Sequence, residues 1–131
     1  MDRVEYELML RRLYAARREG DLAELSGMFA AGAVFEIYGA ADSKPIAIRT
    51  SGSHEFHPWL ALLLKTFRIT DLVLVTMIIE GSRAAVRWQA QIHSRITGAK
   101  VATDLIDLIE LENGQIMSYI EFFRRAGPGA S

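Results

Sequence analysis

Val101-Ala102-Thr103-Asp104-Leu105-Ile106-Asp107-Leu108-Ile109-Glu110-Leu111 reads as a strand with one anomaly at its centre. Side chains alternate faces along a strand, so Val101, Thr103, Leu105, Asp107, Ile109 and Leu111 share one side. That side is apolar apart from Thr103 and one carboxylate, Asp107. Asp104 and Glu110 belong to the opposite, wetter face. An apolar wall strips a carboxylate of hydration, favours its neutral form and raises its pKa. Such a group can donate a proton at neutral pH, which makes Asp107 a candidate catalytic residue. A core aspartate satisfied by a nearby donor, or a strand face that is wet after all, gives the same pattern. The strand alone does not separate these readings.

Working outward, the period of two continues on both sides. Residues 69–80, 83–96, 100–111 and 115–124 are four long strand candidates. Glu80-Gly81-Ser82, Thr97-Gly98-Ala99 and Glu112-Asn113-Gly114 join them as hairpin turns. Upstream the period is helical. Tyr6, Leu10, Leu13 and Tyr14 predict a helix over 3–18, stopped by Gly20. Asp21 followed by Glu24 is a capping-box pattern opening a short second helix, with Leu22, Leu25 and Phe29 as its inner stripe and Gly32 closing the unit. Residues 33–38 form a strand closed by Gly39, 42–45 a loop, and 46–50 a short edge strand. Pro58 suits the first turn of a third helix reaching about residue 67, with Trp59, Leu62, Leu63 and Phe67 facing inward. Helices first and an antiparallel meander afterwards indicate an α+β fold with helices on one face of the sheet.

The chain has 131 residues, half of them hydrophobic, which suits one domain over 1–126 with a frayed tail at 127–131. A net charge of −1 supplies no global field for nucleic acid or an anionic membrane. The pairs Arg11-Arg12 and Arg17-Arg18 form the sole basic cluster and read as a solvated helix face. The absence of cysteine excludes disulfides and thiolate metal sites, and His54, His57 and His93 do not form a metal motif. No apolar run is long enough for a bilayer, and Asp2 and Glu5 stand where a signal peptide would be basic and then apolar. A cytoplasmic protein without metal or organic cofactor is expected.

The face of the last strand depends on its turn. A two-residue turn at Asn113-Gly114 sets Ile120 opposite Asp107, and a three-residue loop over 112–114 sets Tyr119 there. A one-residue slip decides whether Glu121 points inward or outward. On strand 83–96 the apolar set Val86, Trp88, Ala90 and Ile92 should line the inside of a curved sheet, leaving His93 outward.

The order of helix, Gly20-Asp21-Leu22, Met28-Phe29, Ala33-Val34-Phe35-Glu36-Ile37, helix, meander and Glu112-Asn113-Gly114-Gln115-Ile116 resembles the SnoaL-like branch of the NTF2-like superfamily over nearly the whole chain. The resemblance implies an NTF2-like (cystatin-like) cone, with three N-terminal helices packed on a bent antiparallel sheet around an apolar cavity. It also includes ketosteroid isomerase, where a tyrosine and a protonated aspartate form an oxyanion hole beside an aspartate base. Tyr14 matches that tyrosine and Asp107 the protonated aspartate. The base position falls on Ile37, and Glu36 points to the other face unless its strand is bulged. The same matching implies the three-residue loop, so Tyr119, Glu121 and Phe123 turn inward and Glu121 becomes the substitute base.

These features imply an acid/base enzyme of isomerase, cyclase, dehydratase or hydrolase type acting on an apolar small molecule. Asp107, Tyr14 and Glu121 would carry the chemistry, and Trp88, Ile37, Tyr119, Phe123 and Trp59 would shape the pocket. A non-catalytic ligand-binding or dimerisation module is the alternative, supported by the missing base. Tyr14 also fits an ordinary core tyrosine. Ile106 and Leu108, on the outer face of their strand, make that face more apolar than a monomer needs and point to a homodimer.

Overall fold

The computed structural model describes residues 1–41 and 44–126. The expected tail at 127–131 and half of the expected loop at 42–45 lie outside the described residues. Helix α1 (Arg3–Glu19) opens with a capping box between Asp2 and Glu5 and stops at Gly20, whose φ of 71° gives the left-handed turn. Helix α2 (Leu22–Gly27) is capped by the Asp21 carboxylate on the Glu24 amide. Phe29, expected on that helix, instead starts strand β1 (Phe29–Ala41), which runs through both Gly32 and Gly39. Strand β2 (Lys44–Ser51) returns along it as the sheet edge, so Lys44 and Pro45 are extended.

Helix α3 (Ser53–Thr66) begins five residues before Pro58. The Glu55 carboxylate accepts the Ser51 amide at 2.7 Å, and the Gly52 carbonyl accepts the Glu55 and Phe56 amides at 3.0 Å each, so the first turn forms without proline. Starting earlier rotates the buried stripe. Phe56 and Leu60 face the core, while Trp59 and Leu62 are 37% and 51% exposed. Trp59 is therefore not an inner residue.

Strands β3 (Phe67–Glu80), β4 (Arg83–Ser94), β5 (Lys100–Glu112) and β6 (Gln115–Arg125) form the expected meander. The six strands run in the order β2-β1-β6-β5-β4-β3. The sheet is mixed rather than wholly antiparallel, because β1 pairs with β6 in parallel. The third helix also follows two strands instead of preceding the sheet.

Neither expected register of β6 is the observed one. Asn113 and Gly114, with φ of 52° and 75°, make a two-residue turn that pairs Glu112 with Gln115. Met117 then bulges out of the ladder, so Ser118 pairs with Glu110 and Glu121 with Asp107. The extra residue flips the alternation, so Ile116, Tyr119 and Glu121 are all buried. The expected inward face for Tyr119, Glu121 and Phe123 stands, and the register lies two residues from the three-residue-loop pairing. Irregularities in β3 at Thr70/Val73 and Leu74/Thr76 bend the sheet further.

The concave face holds the core. Tyr6, Leu10, Leu13 and Tyr14 of α1 meet Val86, Trp88, Leu105 and Ile109 there. The Tyr6 hydroxyl fixes the helix by donating to the Ser82 and Ile109 carbonyls at 3.3 Å.

Candidate active site

Asp107 is wholly buried on the concave face of β5. Its Oδ2 accepts three hydrogen bonds: from the Tyr14 hydroxyl at 2.6 Å, from Trp88 Nε1 at 2.8 Å, and from the Tyr119 hydroxyl. Oδ1 has no partner among the described residues, so a proton arriving on Asp107 has that oxygen open to it. Burial pushes the Asp107 pKa up, and the charge of Glu121 adds to this. Arg17 and the two tyrosine hydroxyls pull it down, and the balance stands at about 7. Burial and the Asp107 charge raise both Tyr14 and Tyr119 well above the usual tyrosine value, so both remain donors.

Arg17 is the residue that sequence reasoning misplaced. It lies three residues after Tyr14 and four after Leu13, one turn further along the inward stripe of α1. That spacing is the signal that the reading of Arg17-Arg18 as a solvated pair overlooked. Its guanidinium makes a two-point ion pair with Glu121, Nη1 to Oε2 at 2.7 Å and Nη2 to Oε1 at 3.2 Å. Nη1 also donates to the Tyr119 hydroxyl at 3.1 Å and lies 4.0 Å from Asp107 Oδ2. The cation sits 4.8 Å from the centre of the Trp88 ring. Burial works against this charge, but Glu121, Tyr119 and Asp107 outweigh it, and Arg17 stays protonated.

A cavity of about 930 Å³ opens between the sheet and α3. Arg17 and Glu121 reach its wall, as do the expected pocket residues Ile37 and Phe123. Trp88 and Tyr119, expected there too, stand behind that wall with Tyr14 and Asp107, each 1% exposed or less. They form a second layer because Arg17 and Glu121 fill the space in front of them. Trp59 is replaced at the wall by Leu60, Leu63 and Leu64 of the same helix. Ile37 lines the cavity, and Glu36 points to the opposite face, where it accepts from Tyr38 and lies 3.7 Å from Arg49. His93 is likewise outward, its Nε2 2.8 Å from the Thr70 hydroxyl. Among the described residues no group of His, Cys, Asp and Glu is placed to hold a metal ion.

A conical sheet carrying a buried Tyr14–Asp107 pair is the arrangement the resemblance implied, and the sequence profile of the SnoaL-like domain matches residues 10–119. The chain belongs to the SnoaL-like family. Among solved structures, a candidate isomerase from Bacillus subtilis is 22% identical, with a TM-score of 0.78 over 95% of this chain and 90% of that one. An NTF2-like protein from Burkholderia xenovorans LB400 is also 22% identical, with a TM-score of 0.73 over 95% and 92%. An LEH-like epoxide hydrolase from M. tuberculosis is 12% identical, with a TM-score of 0.73 over 92% and 84%. At these identities the likeness establishes the NTF2-like fold alone. No curated protein matches the chain. The polar set of this SnoaL-like chain is two opposed carboxylates with one largely buried arginine beside them.

Proposed function

We propose that the protein is a cofactor-independent acid/base enzyme acting on an apolar small molecule in the cone. The observation that carries this is Glu121, the one carboxylate among the described residues on the wall of an otherwise largely apolar cavity, backed by a second carboxylate with a raised pKa. Glu121 is the base that meets substrate. Arg17 faces the same space and offsets negative charge that develops there. Asp107 and Tyr14 act through Tyr119 and Arg17, positioning them instead of touching substrate. The family and the isomerase and epoxide hydrolase folds beside it support small-molecule chemistry in general terms.

The test is turnover of a panel of small apolar enones, epoxides and aryl esters. Glu121→Gln should lower turnover by about 100-fold or more, the usual scale for losing a general base. Unchanged turnover in that variant, with the cavity intact, would remove the catalytic role. A ligand-binding module is the second reading. It is favoured by Ile37 at the base position and by Asp107 standing off the wall. Saturable ligand binding with no turnover of any substrate class would select it.

The outer sheet face supports a homodimer. Ile106, Leu108 and Phe122 are 44%, 42% and 43% exposed there. On that face Glu36 pairs with Arg49 and Asp104 with Arg87 within the chain, so these charges are matched and do not oppose a second copy turned by a two-fold axis. A cytoplasmic location remains part of this proposal. Among the described residues no helix is long and apolar enough to cross a membrane.

A further inference from the structure

The cavity has two ends of different charge, and strand β6 connects them. Glu121, Phe123 and Arg125 alternate onto the concave face, and all three line the cavity. Four residue steps along the strand carry the chain from Glu121 to Arg125, roughly 13 Å at the usual rise. Glu121 is buried at the inner end and neutralised by Arg17. Arg125 is exposed, as are the lining residues Phe67 and Ala99, which marks this as the outer end, and its side chain makes no hydrogen bond or ion pair with the described residues. Its neighbour Arg124 is engaged elsewhere, donating to Asp104 at 3.2 Å on the opposite face of the sheet. Between the two ends the wall is apolar, built from residues such as Ile69, Ile92, Leu105 and Phe123.

The charges lining this space therefore do not balance among the described residues. Arg17 pairs with Glu121, Arg124, which also borders the cavity, shares the Asp104 carboxylate with Arg87, and the Arg125 side chain has no counter-charge among the described residues. A cation at the opening of a low-dielectric funnel concentrates anions there. A guanidinium adds a planar fork that matches a carboxylate at two points. The chain as a whole is weakly acidic, so this preference is local and does not extend to polyanions.

We propose that the cavity takes an organic acid, with an apolar body inside the cone and a single carboxylate held by Arg125 at the mouth. The end of the molecule remote from its carboxylate then lies at Arg17 and Glu121. This orientation rests on the reading of Glu121 as the working base. It places the reacting atom roughly 10 Å or more from the acid group, given the strand distance between the two side chains. A small polar acid is too short to reach both, and an uncharged apolar molecule forgoes the mouth contact.

The experiment is displacement of the neutral fluorophore N-phenyl-1-naphthylamine from the full chain at about pH 8, where a carboxylate is ionised. Decanoate is compared with decan-1-ol, which has the same apolar body and no charge. Wild type should release the fluorophore at about fivefold lower decanoate than decanol, the scale of one partly exposed charge pair. About 0.5 M salt should shrink that ratio, since exposed charges are screened. Arg125→Gln should bring it close to one. Equal displacement by acid and alcohol, or a ratio that survives Arg125→Gln, overturns the proposal. Fluorophore binding with no acid preference does so while leaving the role of Glu121 standing. An acid preference together with Glu121→Gln turnover equal to wild type keeps the mouth site and removes the base.

Discussion

Asp107 and Glu121 are directly opposed across β5 and β6, two carboxylates on the same concave face. Like charges set opposite each other on a sheet destabilise it, and burial makes the repulsion worse. Two features reconcile the pair. Arg17 enters from α1 and binds Glu121 at two points while standing 4.0 Å from Asp107. Asp107 is further held by three neutral donors, and its pKa of about 7 keeps a proton within reach. A charged pair with an adjacent titrating carboxyl is a site able to move protons near neutrality.

Because the Asp107 pKa is higher folded than unfolded, the folded state binds the extra proton and stability falls as pH rises from the ordinary aspartate value of about 3.9 toward 7. Asp107→Asn keeps the shape without ionising. Relative to wild type it should gain stability between about pH 4 and pH 8, by more than about 1 kcal/mol given a shift of more than one pKa unit. Urea denaturation at both pH values measures this. A variant that loses ground at the higher pH would falsify the raised pKa.

Removing one donor tests the same carboxyl from the other side. Tyr119→Phe deletes a hydrogen bond that lowers the Asp107 pKa, so Asp107 should titrate higher than in wild type. The loss of a buried charge-assisted bond should also destabilise the protein by about 1–3 kcal/mol. Carbon-13 NMR of labelled aspartate follows the titration, and an unchanged midpoint would contradict the network.

Arg17→Met leaves two buried carboxylates without their cation. Destabilisation of about 3–5 kcal/mol is expected at about pH 8, and less at about pH 5, where Asp107 takes up a proton. Adding Glu121→Gln should recover part of that loss. A double variant no more stable than Arg17→Met alone would show that Arg17 acts through packing on Trp88.

Gly39 passes so close to β6 that a Cβ there would lie 2.5 Å from the Phe123 ring and 2.6 Å from the Phe123 carbonyl oxygen. Gly39→Ala should cost about 1–3 kcal/mol in a thermal or chemical melt, the usual scale of overpacking. Phe123→Ala should not rescue it, because the backbone oxygen remains. Full rescue would mean that the ring alone sets the limit.

Ile106→Glu with Leu108→Glu should convert a dimer to a monomer in sedimentation velocity without unfolding it, since both side chains are on the exposed face. A monomeric wild type at micromolar concentration would dispose of the interface.

The local sequence determined the elements. Alternation fixed the four meander strands, helical spacing fixed α1, and the cap at Asp21 fixed the start of α2, because those patterns depend on neighbours within a few positions. Alternation also placed Asp107 among apolar neighbours, and the family likeness paired it with Tyr14. Most of what the sequence left open involved partners outside the segment concerned. The Met117 bulge flips the last strand, since its register answers to the ladder with β5 and not to the Asn113-Gly114 turn alone. The start of α3 at Ser53 turns Trp59 outward and Leu60 inward. Above all, Arg17 resembles any arginine at the end of a surface helix until β6 brings Glu121 to it across 104 residues. A cation is buried only where its counter-charge is already fixed. Tertiary structure supplies that condition, and it decided that the carboxylate meeting the cavity is Glu121 rather than Asp107.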